Sequence, residues 1–182
     1  MNLFHKISLK ESVALRNTIF LERGMPALLN NGFCQSPFSV AWFGKDNHRG
    51  YSYEFCRISG QSRLDIIEIY INYGDRWIQE HLNIFALNPP ISDIKELQGF
   101  DGLQFHLPPN SKTKTRLAPP DGRLFVGFPQ HKLRIFFTES GLKRRLNKLG
   151  ESVEHDLNNI EHFVDQWLAK NQLLETNWEG HC

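Results

Sequence analysis

The sequence predicts an α+β fold, in which an antiparallel meander sheet is flanked by an N-terminal helix and a long C-terminal amphipathic helix. Three observations support this prediction. Strand-like segments separated by turn residues follow one another over residues 38–87. A helix-capping pattern begins at Ser8, and apolar residues recur at spacings of three and four over residues 153–168. Because the connections between the strand-like segments are too short for a parallel crossover, the sheet should be antiparallel.

The first helix is predicted to begin after Ser8. Residues 8–11 read Ser-Leu-Lys-Glu, the form of a capping box, in which the serine oxygen accepts a hydrogen bond from a free amide and the glutamate reciprocates. Gly24 is expected just beyond the end of this helix, because glycine readily adopts the backbone conformation that ends helices. A short helical turn is expected over residues 26–29.

The meander is predicted to contain four strands. The turn sequences Asp-Asn-His-Arg-Gly, Ser-Gly-Gln-Ser and Tyr-Gly-Asp separate segments that are rich in β-branched and aromatic residues. The expected strands cover residues 38–44, 51–58, 64–72 and 76–87.

The C-terminal half is predicted to mix short elements with one exposed loop. Prolines surround lysines and an arginine over residues 108–122, which is typical of a long loop. The elements expected after the meander are a helix at 92–98, a strand at 103–107, the loop at 108–122, a hairpin of 124–128 and 132–138, a basic helix at 142–149 closed by Gly150, and a longer helix at 151–171.

The composition is that of a folded globular protein. Hydrophobic residues make up 40% of the 182 residues and aromatic residues 12%, which fits one α+β domain over residues 1–182. No apolar run approaches the roughly 18 to 20 residues that cross a bilayer, so no membrane partner is predicted. Charged residues interrupt the N-terminal segment before a signal-peptide core could form, and we expect a cytoplasmic protein.

No motif of a common enzyme or cofactor site occurs in the chain. The phosphate-binding loops GxxxxGK and GxGxxG are missing, as is GxSxG. The three cysteines lack CxxC spacing and are expected to be reduced, with Cys56 in the core. His155 and His162 lie two helical turns apart, too far to share one metal ion. We therefore predict no catalytic residues, no cofactor and no metal site.

Two pairs of polar residues have the chemistry of an active site. Asp65 and Glu68 could supply the carboxylates of a nuclease, but the alternation of a strand directs them to opposite faces. Asp65, Glu80 and Asp75 are instead expected on the polar outer face of the sheet. His81 and His106 lie in predicted strands, where they could meet across the sheet as general acid and base.

The formal net charge of +1 conceals a segregation of charge along the chain. Residues 112–148 carry ten basic and two acidic side chains, whereas residues 149–182 carry one basic and seven acidic side chains. The basic residues could pair with the acidic C-terminal helix inside the fold, contact an acidic protein surface, or bind nucleic-acid phosphates. Phosphate contacts would come from the basic helix, through Lys143, Arg144, Arg145 and Lys148.

Aromatic and arginine side chains, the usual anchors of protein interfaces, lie on the predicted strands or at their ends. Acidic side chains accompany them and could meet a basic partner. The predicted partner-binding residues are Asp65, Glu68, Tyr70, Asp75, Arg76 and Trp77.

With one α+β domain, an aromatic-rich meander over residues 38–87, reduced cysteines and no catalytic motif, the chain resembles small cytoplasmic immunity proteins that neutralise bacterial toxins, including those of contact-dependent growth inhibition. The resemblance implies a tight one-to-one complex with a cognate toxin, often a nuclease, whose basic surface would meet Asp65, Glu68 and Asp75. A non-enzymatic protein-binding module is therefore the predicted function. The alternatives are a nucleic-acid-binding protein or nuclease-like enzyme that uses residues 112–148, and a domain with a ligand pocket between the sheet and the C-terminal helix.

Overall fold

The computed structural model of the protein describes residues 6–60, 62–117 and 131–179. Its helices are α1 (Leu9–Ile19), α2 (Met25–Asn30), α3 (Leu103–His106), α4 (Glu139–Asn158) and α5 (Ile160–Lys170), with a π-helical turn at Phe20–Gly24 and 3-10 turns at Ile94–Leu97 and Asn110–Thr113. Its strands are β1 (Cys34–Gln35), β2 (Phe43–Lys45), β3 (Tyr51–Ser59), β4 (Arg63–Ile71), β5 (Gln79–Asn88), β6 (Thr115–Arg116) and β7 (Leu174–Asn177). The predicted α+β class is confirmed. None of the helices in these described ranges is both long and apolar enough to cross a membrane.

The N-terminal helix begins as predicted but does not end where expected. Ser8 Oγ accepts a hydrogen bond from the amide of Glu11 at 3.1 Å, which confirms the cap. The chain then continues from α1 through the π-helical turn directly into α2. A Cβ atom at Gly24 would lie 2.7 Å from the ring of Phe20 and 3.0 Å from Val153 of α4. This glycine therefore permits close helix packing, and the prediction that it ends the helix is wrong.

The meander prediction is confirmed for the three long strands. Strands β3, β4 and β5 pair antiparallel, so that Glu54 lies opposite Glu68 and Arg57 opposite Asp65. The short strands β1 and β2 both pair with β3, and β6 pairs with β5. Strand β7 also pairs with β5, in parallel. The first predicted strand is reduced to β2, because the amides of Ser39 and Val40 donate to the carbonyls of Phe100 and Asp101, outside the sheet.

Both faces of the sheet are covered. Helices α1, α2, α4 and α5 pack on one face, which we call the helical face, over a core that includes Phe55, Ile67 and Trp167. On the opposite face, α3 and the loops around it bury a second core that includes Cys56 and Phe105. Side chains that alternate along a strand are therefore buried on one face or the other. Cys56 is confirmed as a core residue.

Several elements after the meander differ from the prediction. Residues 103–106 form helix α3 and not a strand. Helix α4 runs through Gly150 without a break, and a Cβ atom there would lie 2.7 Å from Cδ of Arg23. Residues 132–138 contribute only an isolated bridge, between Lys132 and Trp77. The proposed partner strand at 124–128 lies outside the described residues.

The segment predicted as an exposed loop is partly ordered by a buried amide. Asn110 donates hydrogen bonds to the carbonyl of Gln104 and to Thr176 Oγ1, at 3.0 and 3.1 Å. Its own carbonyl accepts from Asn83 of β5 at 2.8 Å. Because these bonds fix the chain just before β6, the residues between Asn110 and Arg116 lie against the sheet. Residues 118–122 of the predicted loop lie outside the described residues.

A buried histidine joins the C-terminal helices to the helical face. His131 Nδ1 lies 2.5 Å from Glu80 Oε2, and Nε2 lies 2.9 Å from Asp156 Oδ2 of α4. Burial lowers the pKa of His131, but the two carboxylates outweigh that effect and raise it to about 10. The imidazolium is therefore the stable form inside the fold. The expectation that Glu80 lies on a polar outer face is wrong, because Glu80 is 2% exposed.

Replacing His131 with Gln should lower the free energy of unfolding by about 3–5 kcal/mol, because two buried carboxylates lose their cationic partner. Urea unfolding followed by circular dichroism measures this difference. The pKa of His131 is raised from about 6.5 in the unfolded chain, so the stabilisation should be complete below pH 6.5 and lost as the pH rises through 10. The exposed His162, replaced in the same way, should change stability by less than about 0.5 kcal/mol. Similar small losses for both variants would contradict this account.

Candidate functional site

Two glutamates form the floor of a pocket on the face opposite the helical face. Glu54 of β3 and Glu68 of β4 are register partners, so their side chains lie side by side on this face. Their side chains are only 5% and 8% exposed. Tyr70 lies two residues beyond Glu68 on the same face, and its hydroxyl donates a hydrogen bond to Glu68 Oε1.

Helix α3 brings a histidine over the two carboxylates. Phe105 anchors this helix by packing against Phe38 and Phe85, with ring centroids 5.1 and 4.9 Å apart. The next residue, His106, consequently places Nε2 at 3.1 Å from Glu54 Oε2 and Nδ1 at 3.8 Å from Glu68 Oε1. The site thus depends on an aromatic cluster that lies directly beside it.

A lysine completes the pocket on the other side. Lys114 precedes β6, and its Nζ lies 2.5 Å from Glu68 Oε2. Glu68 therefore has three polar neighbours, Lys114, Tyr70 and His106. Glu54 has fewer, since its Oε1 atom is buried without a hydrogen-bond partner among the described residues. A buried carboxylate oxygen that lacks a donor is costly, by about 1–3 kcal/mol or more.

Exposed apolar side chains surround the mouth of this pocket, which we call the acidic pocket. It encloses about 210 Å³. Its rim is formed by Val40, Trp42 and Leu103, which are 37%, 47% and 46% exposed. The carbonyl of Trp42 accepts a hydrogen bond from the amide of Glu54 at 2.9 Å, which holds the indole next to the carboxylates.

The titration behaviour of the pocket follows from its contacts. The contact with Glu54 raises the pKa of His106, although burial opposes this effect. Burial lowers the pKa of His81, the register partner of Glu68, and raises that of Tyr70. The pKa values of the two histidines beside Glu68 are thus shifted in opposite directions. The two carboxylates and Lys114 give the pocket a net formal charge of −1 when His106 is neutral and of zero when His106 is protonated.

Glu54, Glu68 and His106 also form a set of possible metal ligands. One ligand atom of each lies within 4.8 Å of the others, and carboxylate with imidazole is a suitable donor set for zinc. However, the ammonium group of Lys114 already contacts Glu68, and both ring nitrogens of His106 face carboxylates. These contacts would compete with a metal ion for the same oxygen and nitrogen atoms.

The structure divides the predicted partner-binding residues among separate places. Glu68 and Tyr70 line the acidic pocket. Asp75 lies at the turn before β5 and binds the buried guanidinium of Arg16 at 2.9 Å. Near the same end of the sheet, Arg76 lies 5.9 Å from the ring of Phe136, and Trp77 lies between Arg116 and Lys132, at 5.0 and 5.6 Å from its ring.

Asp65 occupies a different environment from the one predicted. It is 0% exposed on the helical face, and its carboxylate receives hydrogen bonds from Arg57 and Arg63 at 2.9 Å. The expectation that Asp65 lies on a polar outer face is therefore wrong. Asp65 lies on the helical face and Glu68 lines the acidic pocket on the other face. This confirms the prediction that the two side chains point to opposite faces of β4.

The four predicted phosphate-binding residues also separate. Lys143 and Arg144 are exposed on α4, and Lys143 pairs with Glu139 of the same helix at 3.4 Å. Arg145 and Lys148 instead line a second cavity of about 300 Å³, which we call the basic cavity. Its lining consists of Lys132, Arg134, Arg145, Lys148, Leu149 and Ser152. Among the described residues, none of the four predicted basic side chains is paired with the acidic C-terminal helix as one interpretation expected.

Glu54 is the pocket residue that the sequence analysis missed, and Lys114, which contacts Glu68, was predicted only as part of an exposed loop. The sequence does contain an indication of Glu54. Polar residues share one face of two neighbouring predicted strands at positions Ser52, Glu54, Glu68 and Tyr70. His106 was noted, but its segment was assigned to a strand. Its position over the glutamates depends on tertiary packing, which no local pattern reports.

Comparisons with protein-family models, with curated proteins and with solved structures found no match to this chain.

Replacing Glu54 with Gln should lower the pKa of His106, because the strongest raising contact of the imidazole is lost. Replacing Lys114 with Gln should raise the same pKa, because a neighbouring positive charge disfavours the imidazolium. NMR titration of the imidazole carbon-bound protons measures both changes. Shifts in the same direction for the two variants would contradict the described geometry.

Proposed function

We propose that the protein is a non-enzymatic binding module of the immunity type, which neutralises a toxin by accepting a basic side chain of that toxin in the acidic pocket. Such a protein would act in the cytoplasm of the cell that it protects. The resemblance of the sequence to immunity proteins and the chemistry of the pocket support the same partner, a protein with a basic surface.

The observation that carries the proposal is the buried Oε1 atom of Glu54. It lies on the floor of an open pocket and lacks a donor among the described residues. A guanidinium or ammonium group entering from the mouth would supply that donor and neutralise the charge. Arginine fits best, because its planar guanidinium group can donate to a carboxylate through two nitrogens at once.

The rim of the pocket supports a protein partner over a small molecule. Trp42 and Leu103 are nearly half exposed, and aromatic side chains beside a desolvated charge are typical of energetic hot spots in protein interfaces. The apolar rim would exclude water from the ion pair after docking, which strengthens the charge interaction. Glu68 and Tyr70, two of the predicted partner-binding residues, belong to this same pocket.

Affinity capture of the tagged protein from its native cells, with nuclease treatment, tests the proposal. The captured partner is purified. Its dissociation constant for the wild-type chain and its toxicity in the presence of that chain are then measured. Trp42→Ala and Glu54→Gln should each weaken binding by about 30-fold or more, the loss expected at a hot spot. Both variants should also fail to protect cells that express the recovered toxin.

Leu29→Ala is the matched control, because Leu29 is equally apolar and 51% exposed but lies on α2, on the helical face. It should leave affinity within twofold of the wild type. Melting temperatures of all variants exclude unfolding as the cause. Unchanged affinity in both pocket variants, or a recovered partner without toxicity, would refute the proposal.

A further inference from the structure

The basic cavity lies on the helical face, away from the acidic pocket. Helix α4 supplies Arg145, Lys148 and Ser152, whose spacing of three and four residues places them on one side of that helix. The same helix buries Leu149 and Val153 in the core over the helical face. The cavity is therefore independent of Glu54 and of the proposed toxin contact.

The opposite wall of the basic cavity is also held firmly. Leu133 is fully buried, and its amide donates to the carbonyl of Arg76 at 2.8 Å. Lys132 forms a bridge with Trp77, and its ammonium group lies 5.6 Å from the indole ring. The flanking Lys132 and Arg134, which also line the cavity, therefore come from a backbone segment that is fixed to the sheet.

The charges around this cavity are all of one sign. Four of the six lining residues are lysine or arginine, and no carboxylate lines it within the described ranges. In those ranges, no carboxylate lies within 4 Å of the charged groups of Arg134, Arg145 or Lys148. Like charges that converge on one concave site repel one another and attract anions. A multiply charged anion would relieve this repulsion.

We propose that the basic cavity binds a ligand with two or more linked phosphate groups. The negative charge of such a group complements the cations of Arg134, Arg145 and Lys148, and arginine donates to phosphate oxygens through two nitrogens. The Ser152 hydroxyl is a further donor in the lining. Linked phosphate groups occur in nucleoside di- and triphosphates. Nucleic-acid backbones carry single phosphate groups that repeat along the chain.

Isothermal titration calorimetry with inorganic pyrophosphate tests the site on the full chain. The double variant R145Q/K148Q should lose at least about tenfold in affinity, because two charge-assisted contacts are removed. The matched control K143Q/R144Q removes the same charge from the same helix outside the cavity lining and should stay within twofold. Since Arg145 is half-buried, R134Q/K148Q provides a second cavity variant at exposed positions, with the same expected loss.

Thermal unfolding gives a second readout. Pyrophosphate should raise the melting temperature of the wild type and of K143Q/R144Q, and should raise that of R134Q/K148Q less, because a ligand stabilises the folded state according to its affinity. Equal weakening by the cavity and control pairs would show diffuse charge attraction, and would overturn the proposal. Absence of pyrophosphate binding would overturn it as well.

A fluorescent single-stranded oligonucleotide distinguishes the two sources of phosphate. Oligonucleotide binding that pyrophosphate displaces, and that R134Q/K148Q abolishes, would support the cavity with a nucleic acid as its ligand. Pyrophosphate binding without oligonucleotide binding would support it with a small phosphate compound. Oligonucleotide binding that pyrophosphate does not displace would overturn the cavity as the site.

Discussion

Both faces of the central strands are covered, and every charge that these strands carry must therefore be neutralised inside the fold. On the helical face, Asp65 is held by Arg57 and Arg63, and Glu80 by His131. On the other face, Lys114 neutralises Glu68. In both Glu54 and Glu80, one carboxylate oxygen has an ionic partner and the other has no hydrogen-bond partner among the described residues. Of the two, Glu54 lines the acidic pocket. The candidate site lies where this neutralisation is incomplete.

The sheet and the ends of its long strands could be predicted because local patterns specify them. Turn residues separate the strands, and alternation places Asp65 and Glu68 on opposite faces. The glycines misled the prediction for a physical reason. Glycine can end a helix or permit a close contact between helices. At Gly24 and Gly150 the chain uses glycine for a close contact with another helix, and the local sequence does not show this contact.

The candidate site was only half predictable from the sequence. Glu68 and Tyr70 were identified, because their strand is regular and its polar positions are evident. The assignment of Asp65 to the same surface was wrong. A carboxylate in a strand was expected to be exposed, but Asp65 is buried and accepts hydrogen bonds from Arg57 and Arg63. Lys114 and His106 reach the pocket only through the packing of Asn110 and Phe105. Packing between residues that are distant in the sequence leaves no periodic pattern from which it could be predicted.

The charge segregation along the chain accounts for the basic cavity but not for the acidic pocket, because Glu54 and Glu68 lie outside the acidic segment 149–182. The acidic pocket lies on one face of the sheet and the basic cavity on the other, next to α4. The net charge of +1 reports neither site, because it sums 21 basic and 20 acidic side chains over the whole chain. Among the described residues, no ion pair joins the two sites, because the carboxylates of one and the cations of the other lie on opposite faces of the sheet.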